Sequence, residues 1–381
     1  REGRFLGFVR VTEKFRLPVE SAIVNPPRLV YNVLITFRQE NGMRTEGTME
    51  EWKALYETAT RIRVLEPWKD LWDLDVIGVQ TGDDPEDTVF YSVLGKGGDC
   101  YGIAVYEGYE GFNSFQMLRL QERLNLPVDY AMLHQSALVC YWGDREELSA
   151  KQRNIIRELG YKYRGKGNWL YFMSYEPGFY PYNLDRDQVL RMTAYLKDLE
   201  RAMAGYRESG ISVDFDNEKM FAMVYGENRE TWRFEERPLP FTSFNYSRIY
   251  ITDEEILRGL KSAPKKAFCL EADVRTMGAR LSDEDYGRPL NPDISILVES
   301  NTGLVISCKM NGPEDDPIET LAKSVVHFII NAGAPKEIRV SNIITDAALD
   351  QICDVCGIQL RRVKKLPQLD WAWKQFSERF L

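Results

Sequence analysis

The stretch FCLEADVRTM, Phe268–Met277, sets the fold of the last third of the chain, because two more runs of the same kind come directly after it: DISILVES at 293–300 and GLVISCKM at 303–310. Each is a short run rich in apolar and β-branched residues, and ESNTG turns the chain between the second and third. Beyond these three strands, ETLAKSVVHFIINAG reads as a helix and KEIRVSN as a strand. TDAALDQICDVCG is again a helix, IQLRRVKK a strand and QLDWAWKQFSERFL a helix. The expected order is βββαβαβα. An acidic residue, Asp273, closes the first apolar run, where it is either one carboxylate of a metal-holding set or a solvated strand end.

Working back from this region, TDEEILRGLKS reads as a capped helix, and EERPLPFTSF, with Pro238 and Pro240, favours extended backbone. Residues 207–250 are therefore expected as a linker with short strands. Further upstream, MEEWKALYETATRIR places Trp52, Leu55, Tyr56, Ala59 and Ile62 at helical spacing behind a Thr48/Glu51 capping box. DLDVIGVQ, TVFYSVLG and GKGGDCYGIAVYEG predict an antiparallel meander turning at GKGG. GFNSFQMLRLQERL is expected next as a helix and YAMLHQSALVCYW as an apolar strand region. EELSAKQRNIIRELG is a helix stopped by Gly160, and a longer one is expected after Asp185. Mixed strands and helices without regular βαβ alternation predict an α+β domain over 48–206. Residues 1–47, with the strand-like RLVYNVLITF, read as an N-terminal β arm, and 251–381 as the α/β domain.

A length of 381 residues suits two domains. The 44% hydrophobic and 28% charged content is that of a globular protein rather than a disordered one. A net charge of −9 offers no general attraction to nucleic acid or to an anionic membrane, so a role on DNA or RNA would need a local basic patch. No apolar run reaches bilayer length, and the charges scattered through REGRFLGFVRVTEKFRLP are unlike a secretory signal. Six sparse cysteines, mostly inside apolar runs, suit reduced thiols and a cytoplasmic location.

The βββαβαβα order over about 266–381 resembles the ribonuclease H-like fold shared by integrases and DDE transposases. That resemblance implies a carboxylate at the end of the first strand, another at the end of the fourth and a third on the late helix, together holding Mg²⁺ or Mn²⁺ for phosphoryl transfer. Asp273 matches the first. The fourth strand ends in Ser341 and Asn342, so Asp346 in the following helix would have to substitute, and Asp370 would supply the late position, with Glu271 as a further candidate. Hard cations need several convergent oxygens, and this set is incomplete. The expectation is a ribonuclease H-like domain without catalysis; the alternative is a metal-dependent nuclease or integrase-like enzyme using Asp273, Asp346 and Asp370. Three stretches, WKDLWDLDVIGVQ, YGIAVYEGYEGFNSF and YRGKGNWLYFMSYEPGFYP, make residues 49–381 similar to uncharacterised bacterial two-domain proteins, which implies no activity.

The segment YKYRGKGNWLYFMSYEPGFYPYNLD, Tyr161–Asp185, is the most unusual in composition. Trp169, Tyr171, Tyr175, Phe179, Tyr180 and Tyr182 crowd behind Lys162, Arg164 and Lys166, a pattern able to stack rings and neutralise phosphates, or simply to pack a strand. A protein or small-molecule partner fits such a surface as well as nucleic acid does. Other motifs favour bland readings. CDVC at 353–356 lacks the further ligands of a zinc site and ends a helix rather than beginning one. His134 and His327 both lie in apolar runs and read as core residues. LGKGGD lacks the spacing of a phosphate loop. Trp371 and Trp373 cannot both lie on one narrow helix face, so one of them is expected to be exposed.

Overall fold

A computed structural model describes residues 8–12, 44–226, 230–240, 247–282 and 286–380. The strand-like run at 28–37 lies outside them. After β1 (Phe8–Thr12) come α1 (Met49–Leu65), β2 (Ile77–Gln80), β3 (Thr88–Leu94), β4 (Tyr101–Glu107), α2 (Gly108–Arg119), α3 (Gln121–Leu124) and α4 (Val128–Leu133). Next are β5 (Ala137–Gly143), α5 (Ala150–Glu158), β6 (Trp169–Tyr175), α6 (Arg186–Glu208), β7 (Lys219–Tyr225), β8 (Trp232–Pro238), β9 (Ser247–Ile251) and α7 (Glu254–Ser262). The chain ends with β10 (Cys269–Thr276), β11 (Asp293–Glu299), β12 (Val305–Asn311), α8 (Pro317–Ala332), β13 (Glu337–Val340), α9 (Ile343–Cys356), β14 (Gln359–Arg362) and α10 (Pro367–Phe380).

The protein is mixed α/β, built on two large sheets. The first has seven strands in the order β6-β5-β4-β3-β2-β7-β8, antiparallel throughout except for the parallel β2–β7 pair. One face packs on α1, α5 and α6 through Trp52, Leu55, Ile62, Ile155, Leu196 and Phe172. The period of α1 places its apolar residues on that face, and the Thr48/Glu51 capping box satisfies its first turn, a motif worth about 1 kcal/mol. On the opposite face, α2 sets Phe112 and Phe115 against Phe90 and Tyr106. Residues 219–238, expected within a linker with short strands, form two strands that belong to this sheet: Phe221 and Met223 alternate into its core, whereas Glu235 and Arg237 mark β8 as a charged edge. Tyr130–Leu133, expected at the start of a strand region, belongs to the helix α4, and β5 begins only at Ala137.

The second sheet has the order β12-β11-β10-β13-β14, with β10, β11 and β12 antiparallel to one another and β13 and β14 parallel to β10. Leu270, Ala272 and Val274 of β10 join Leu297 and Ile338 in the core beneath α8 and α9. The alternate residues of β10 face the other way, beside Ile294, Ile296 and Val298, where Leu366 and the α10 residues Leu369, Trp373 and Phe376 pack. A short two-stranded sheet of β1 and β9 adjoins α9. Among the described residues no helix is long and apolar enough to cross a membrane.

A polar seam joins the two halves. Asn125 Nδ2 donates to the Ser341 carbonyl at 2.6 Å, and His134 Nε2 lies 2.9 Å from Asp293 Oδ2. The turn after β6 pairs directly with the second half, Tyr180 N donating to the Pro289 carbonyl and Asn291 N to that of Gly178. Gly178 is needed there: its φ is +82°, and a Cβ would stand 2.9 Å from Pro313 Cα.

Candidate functional site

On β10, strand alternation puts Glu271, Asp273 and Arg275 on the face beneath α10. Asp273 is fully buried. Its Oδ2 accepts from Ser341 Oγ at 2.7 Å and lies 3.0 Å from Arg275 Nη2; its Oδ1 accepts from Asn342 Nδ2 at 2.9 Å and from Val274 N at 3.0 Å. Burial pushes the carboxyl above the usual carboxylate range, opposed by the Arg275 charge and by the Ser341, Val274 and Asn342 donors. Asn342 works in both directions, because its Oδ1 also accepts from Ile344 N and Thr345 N and so caps α9. The buried carboxylate is thereby tied to the start of a helix.

Arg275 carries the contact onward. The same Nη2 donates to Asp370 Oδ1 at 2.9 Å, so one guanidinium nitrogen stands between Asp273 and Asp370. Glu271, also buried, accepts from Gln368 N at 3.0 Å and Leu369 N at 2.8 Å, capping the first turn of α10 with a carboxylate. Burial raises the Glu271 carboxyl against those two donors.

Of the three alternative carboxylates, Asp273 and Asp370 are brought together, but around an arginine. Asp346 stands apart in the first turn of α9, half-buried, where desolvation raises its carboxyl and the charges of Arg362 and Arg248 counter the rise. Among the described residues no group of three or more His, Cys, Asp or Glu side chains could hold a metal ion. The residues therefore do not fit Mg²⁺ or Mn²⁺. The end of the fourth strand offers Ser341 and Asn342 as donors rather than an anionic ligand, and the space between Asp273 and Asp370 is taken by a permanent cation. Arg275 was the residue to read from the sequence. It lies two positions after Asp273, hence on the same strand face.

The aromatic segment divides. Tyr171 is buried and stacks on Tyr141 at 5.3 Å, Tyr175 shares a 3.1 Å hydroxyl contact with Tyr141, and Phe172 packs on Trp52 and Tyr56. Lys162, Arg164 and Lys166 are exposed on the preceding loop, but the guanidinium over Trp169 is that of Arg145, at 5.8 Å. The half-buried Phe179, Tyr180 and Tyr182 lie in the turn that meets the second half. Their cations come from elsewhere in the sequence: Arg288 over Phe179 at 4.6 Å, and Arg280 and Arg44 over Tyr182 at 5.6 and 5.9 Å.

His134 is not an ordinary core residue: Nε2 faces Asp293 and Nδ1 lies 2.8 Å from the Tyr130 carbonyl, so both nitrogens face acceptors. Burial disfavours the charged ring, but Asp293 and the Tyr130 carbonyl outweigh it and raise the pKa. His327 is exposed, contrary to expectation. Cys353 and Cys356 are buried; desolvation pushes the Cys353 thiol far up and the Cys356 thiol up to about 11, leaving both unreactive near neutrality. Trp371 is exposed while Trp373 stacks on Phe376, as the helix period requires.

No curated protein matches the chain. Two solved structures show a distant likeness. The simian T-cell lymphotropic virus intasome in complex with PP2A regulatory subunit B56 gamma shares 16% identity over 31% of this chain and 44% of that one, with a TM-score of 0.23. The HTLV-2 integrase catalytic core domain in complex with magnesium shares 15% identity over 32% and 74% of the two chains, also at 0.23. At that score neither carries an argument about fold or chemistry. The chain's similarity to families is clearer: residues 52–223 match the model described as Domain of unknown function (DUF7309), and residues 256–377 the model described as Domain of unknown function (DUF6930).

Proposed function

We propose that the protein is a cytoplasmic binding protein of two domains, the first carrying the seven-stranded sheet and the second a ribonuclease H-like unit without metal catalysis. The sheet order β12-β11-β10-β13-β14, with an antiparallel first half and a parallel second half, supports the ribonuclease H-like reading. One observation carries the non-catalytic reading: Arg275 contacts Asp273 and Asp370 through a single nitrogen, so the two carboxylates already share a cation. Residues of the first half close off the adjoining strand ends as well. Leu126, Pro127 and Tyr130 line the small space next to Val274, Asn342 and Thr345.

Thermal denaturation with Mn²⁺ or Mg²⁺ tests this on the wild type and on Asp273→Asn. A ligand that binds only the folded state raises its apparent stability. The expected result is no metal-dependent rise attributable to Asp273. A rise in the wild type that vanishes in Asp273→Asn would reinstate the metal-dependent nuclease and call for assays on DNA and RNA.

A further inference from the structure

The seam holds a group of cations that the Asp273 network does not use. Arg288 is 5% exposed. Its Nη1 stands 2.6 Å from Glu176 Oε2, yet outside hydrogen-bonding alignment, and Nε, Nη1 and Nη2 are all buried without a hydrogen-bond partner among the described residues. A guanidinium in that state is costly, because each buried N–H left unpaired forfeits its hydration. Its neighbourhood adds positive charge: Arg44 lies near enough to make the Arg288 charge less favourable, and both Arg44 and the exposed Arg280 lie over the Tyr182 ring.

The nearby carboxylates are already engaged. Glu176 Oε1 accepts from Ser174 Oγ at 3.2 Å and Gln188 Nε2 at 3.1 Å, while Asp185 caps α6 through Gln188 N and lies 3.7 Å from Arg44 Nη1. Among the described residues, Arg44 is taken up by Asn183, Gln188 and Asp185, whereas the more buried Arg288 has the Glu176 Oε2 charge beside Nη1 and leaves Nε and Nη2 without a hydrogen-bond partner. Planar N–H forks of this kind match the oxygens of a phosphate.

We propose that the seam around Arg288, Arg280, Arg44 and Tyr182 binds a phosphate group, either free phosphate or the phosphate of a small ester. Arg288 supplies the desolvated donors at the inner end of the site and Arg280 the charge at its mouth, with the Phe179 and Tyr182 rings as walls. Because the site uses segments of both halves, a bound anion ties them together. Phosphate is thereby the ligand class of the binding protein, an assignment that rests on the binding-protein reading. The site shares no residue with the Asp273 network, so either reading can fail alone.

The test is a titration of the full chain with inorganic phosphate, and separately with phenyl phosphate, against sodium chloride at matched ionic strength, read by thermal shift and by calorimetry. Saturable stabilisation by at least one phosphate probe, absent with chloride, is expected. Phenyl phosphate binding about tenfold more tightly than inorganic phosphate identifies an ester as the ligand, and equal affinities identify free phosphate. Arg280→Met, at an exposed position, should fold normally and bind about tenfold more weakly. Arg288→Met should abolish saturable binding if it folds, and Arg280→Met decides the matter if it does not. Absence of a phosphate-specific effect, or unchanged affinity in Arg280→Met, overturns the proposal.

Discussion

Replacing Arg275 with Met removes the cation shared by Asp273 and Asp370 while keeping most of the side chain's bulk. Asp273 is fully buried, so its charge would be left with three donors, Ser341 Oγ, Asn342 Nδ2 and Val274 N, and no counter-ion. Removing one partner of a buried pair costs about 3–5 kcal/mol, and the three remaining donors place this case near about 3 kcal/mol. The pH dependence is set by the sign of the shift. Burial already raises the Asp273 carboxyl, and losing Arg275, the largest opposing influence, raises it further. The variant's deficit is therefore smallest below the unfolded carboxylate pKa, where both states are protonated, and grows as pH rises through the elevated folded value. Urea denaturation of wild type and variant from about pH 4 to about pH 8, with amide exchange read in α10, measures both the size and the slope. Asp273→Asn in the Arg275→Met background should recover a substantial part of the loss, a coupling of about 1–3 kcal/mol. A deficit under about 1 kcal/mol, or one that Asp273→Asn does not relieve, refutes the view that Arg275 neutralises a buried carboxylate.

Three other contacts give equally definite expectations. The His134 pKa is raised from the ordinary imidazole range, so its stabilising contribution is complete below about pH 6.5 and is lost as pH rises through the folded value; His134→Leu should flatten the stability profile above about pH 6.5, and an unchanged slope counts against the His134–Asp293 contact. Glu271→Gln weakens the carboxylate cap on α10 and should cost about 1–2 kcal/mol by chemical denaturation, with faster exchange at the Gln368 and Leu369 amides; unaltered exchange there contradicts the cap. Gly178→Ala strains a positive φ and drives a methyl against Pro313, so a loss of about 1–3 kcal/mol is expected in thermal denaturation, and a neutral result shows that the seam accommodates the methyl.

The carboxyl-terminal element order was legible because period-2 runs alternate there with 3.6-period helices, and each signal is long enough to be distinct. The 219–238 strands were harder to read. The two pair with each other as an antiparallel hairpin, but their place in the sheet is set by β2, far back in the chain, and with Pro238 and several charges in the second strand the local pattern favoured a linker with short strands. Asp273 drew attention as the acidic residue closing an apolar run, but it lies inside β10 and is buried rather than at a solvated strand end, and Ser341 and Asn342 already stood where a carboxylate was expected. That Arg275 would occupy the space between two carboxylates depends on how α10 docks, which no local pattern reveals. In the aromatic segment the cations that lie over the rings are not the ones beside them in sequence. Lys162, Arg164 and Lys166 are adjacent in sequence, whereas Arg44, Arg280 and Arg288 reach the rings only through tertiary folding.

The parallel β2–β7 pair, with Ile77 opposite Phe221, also governs when the first sheet can be completed. During synthesis, β2 through β6 can emerge and pair among themselves, but β2 stays an open edge until residues 219–225 have left the ribosome. Closing so distant a pair is entropically slow, and the waiting edge carries the apolar Ile77 and Val79, which are fully buried in the finished sheet. A fragment ending near residue 206 would keep that edge permanently bare and would be expected to aggregate, whereas one extended through Pro238 carries both missing strands.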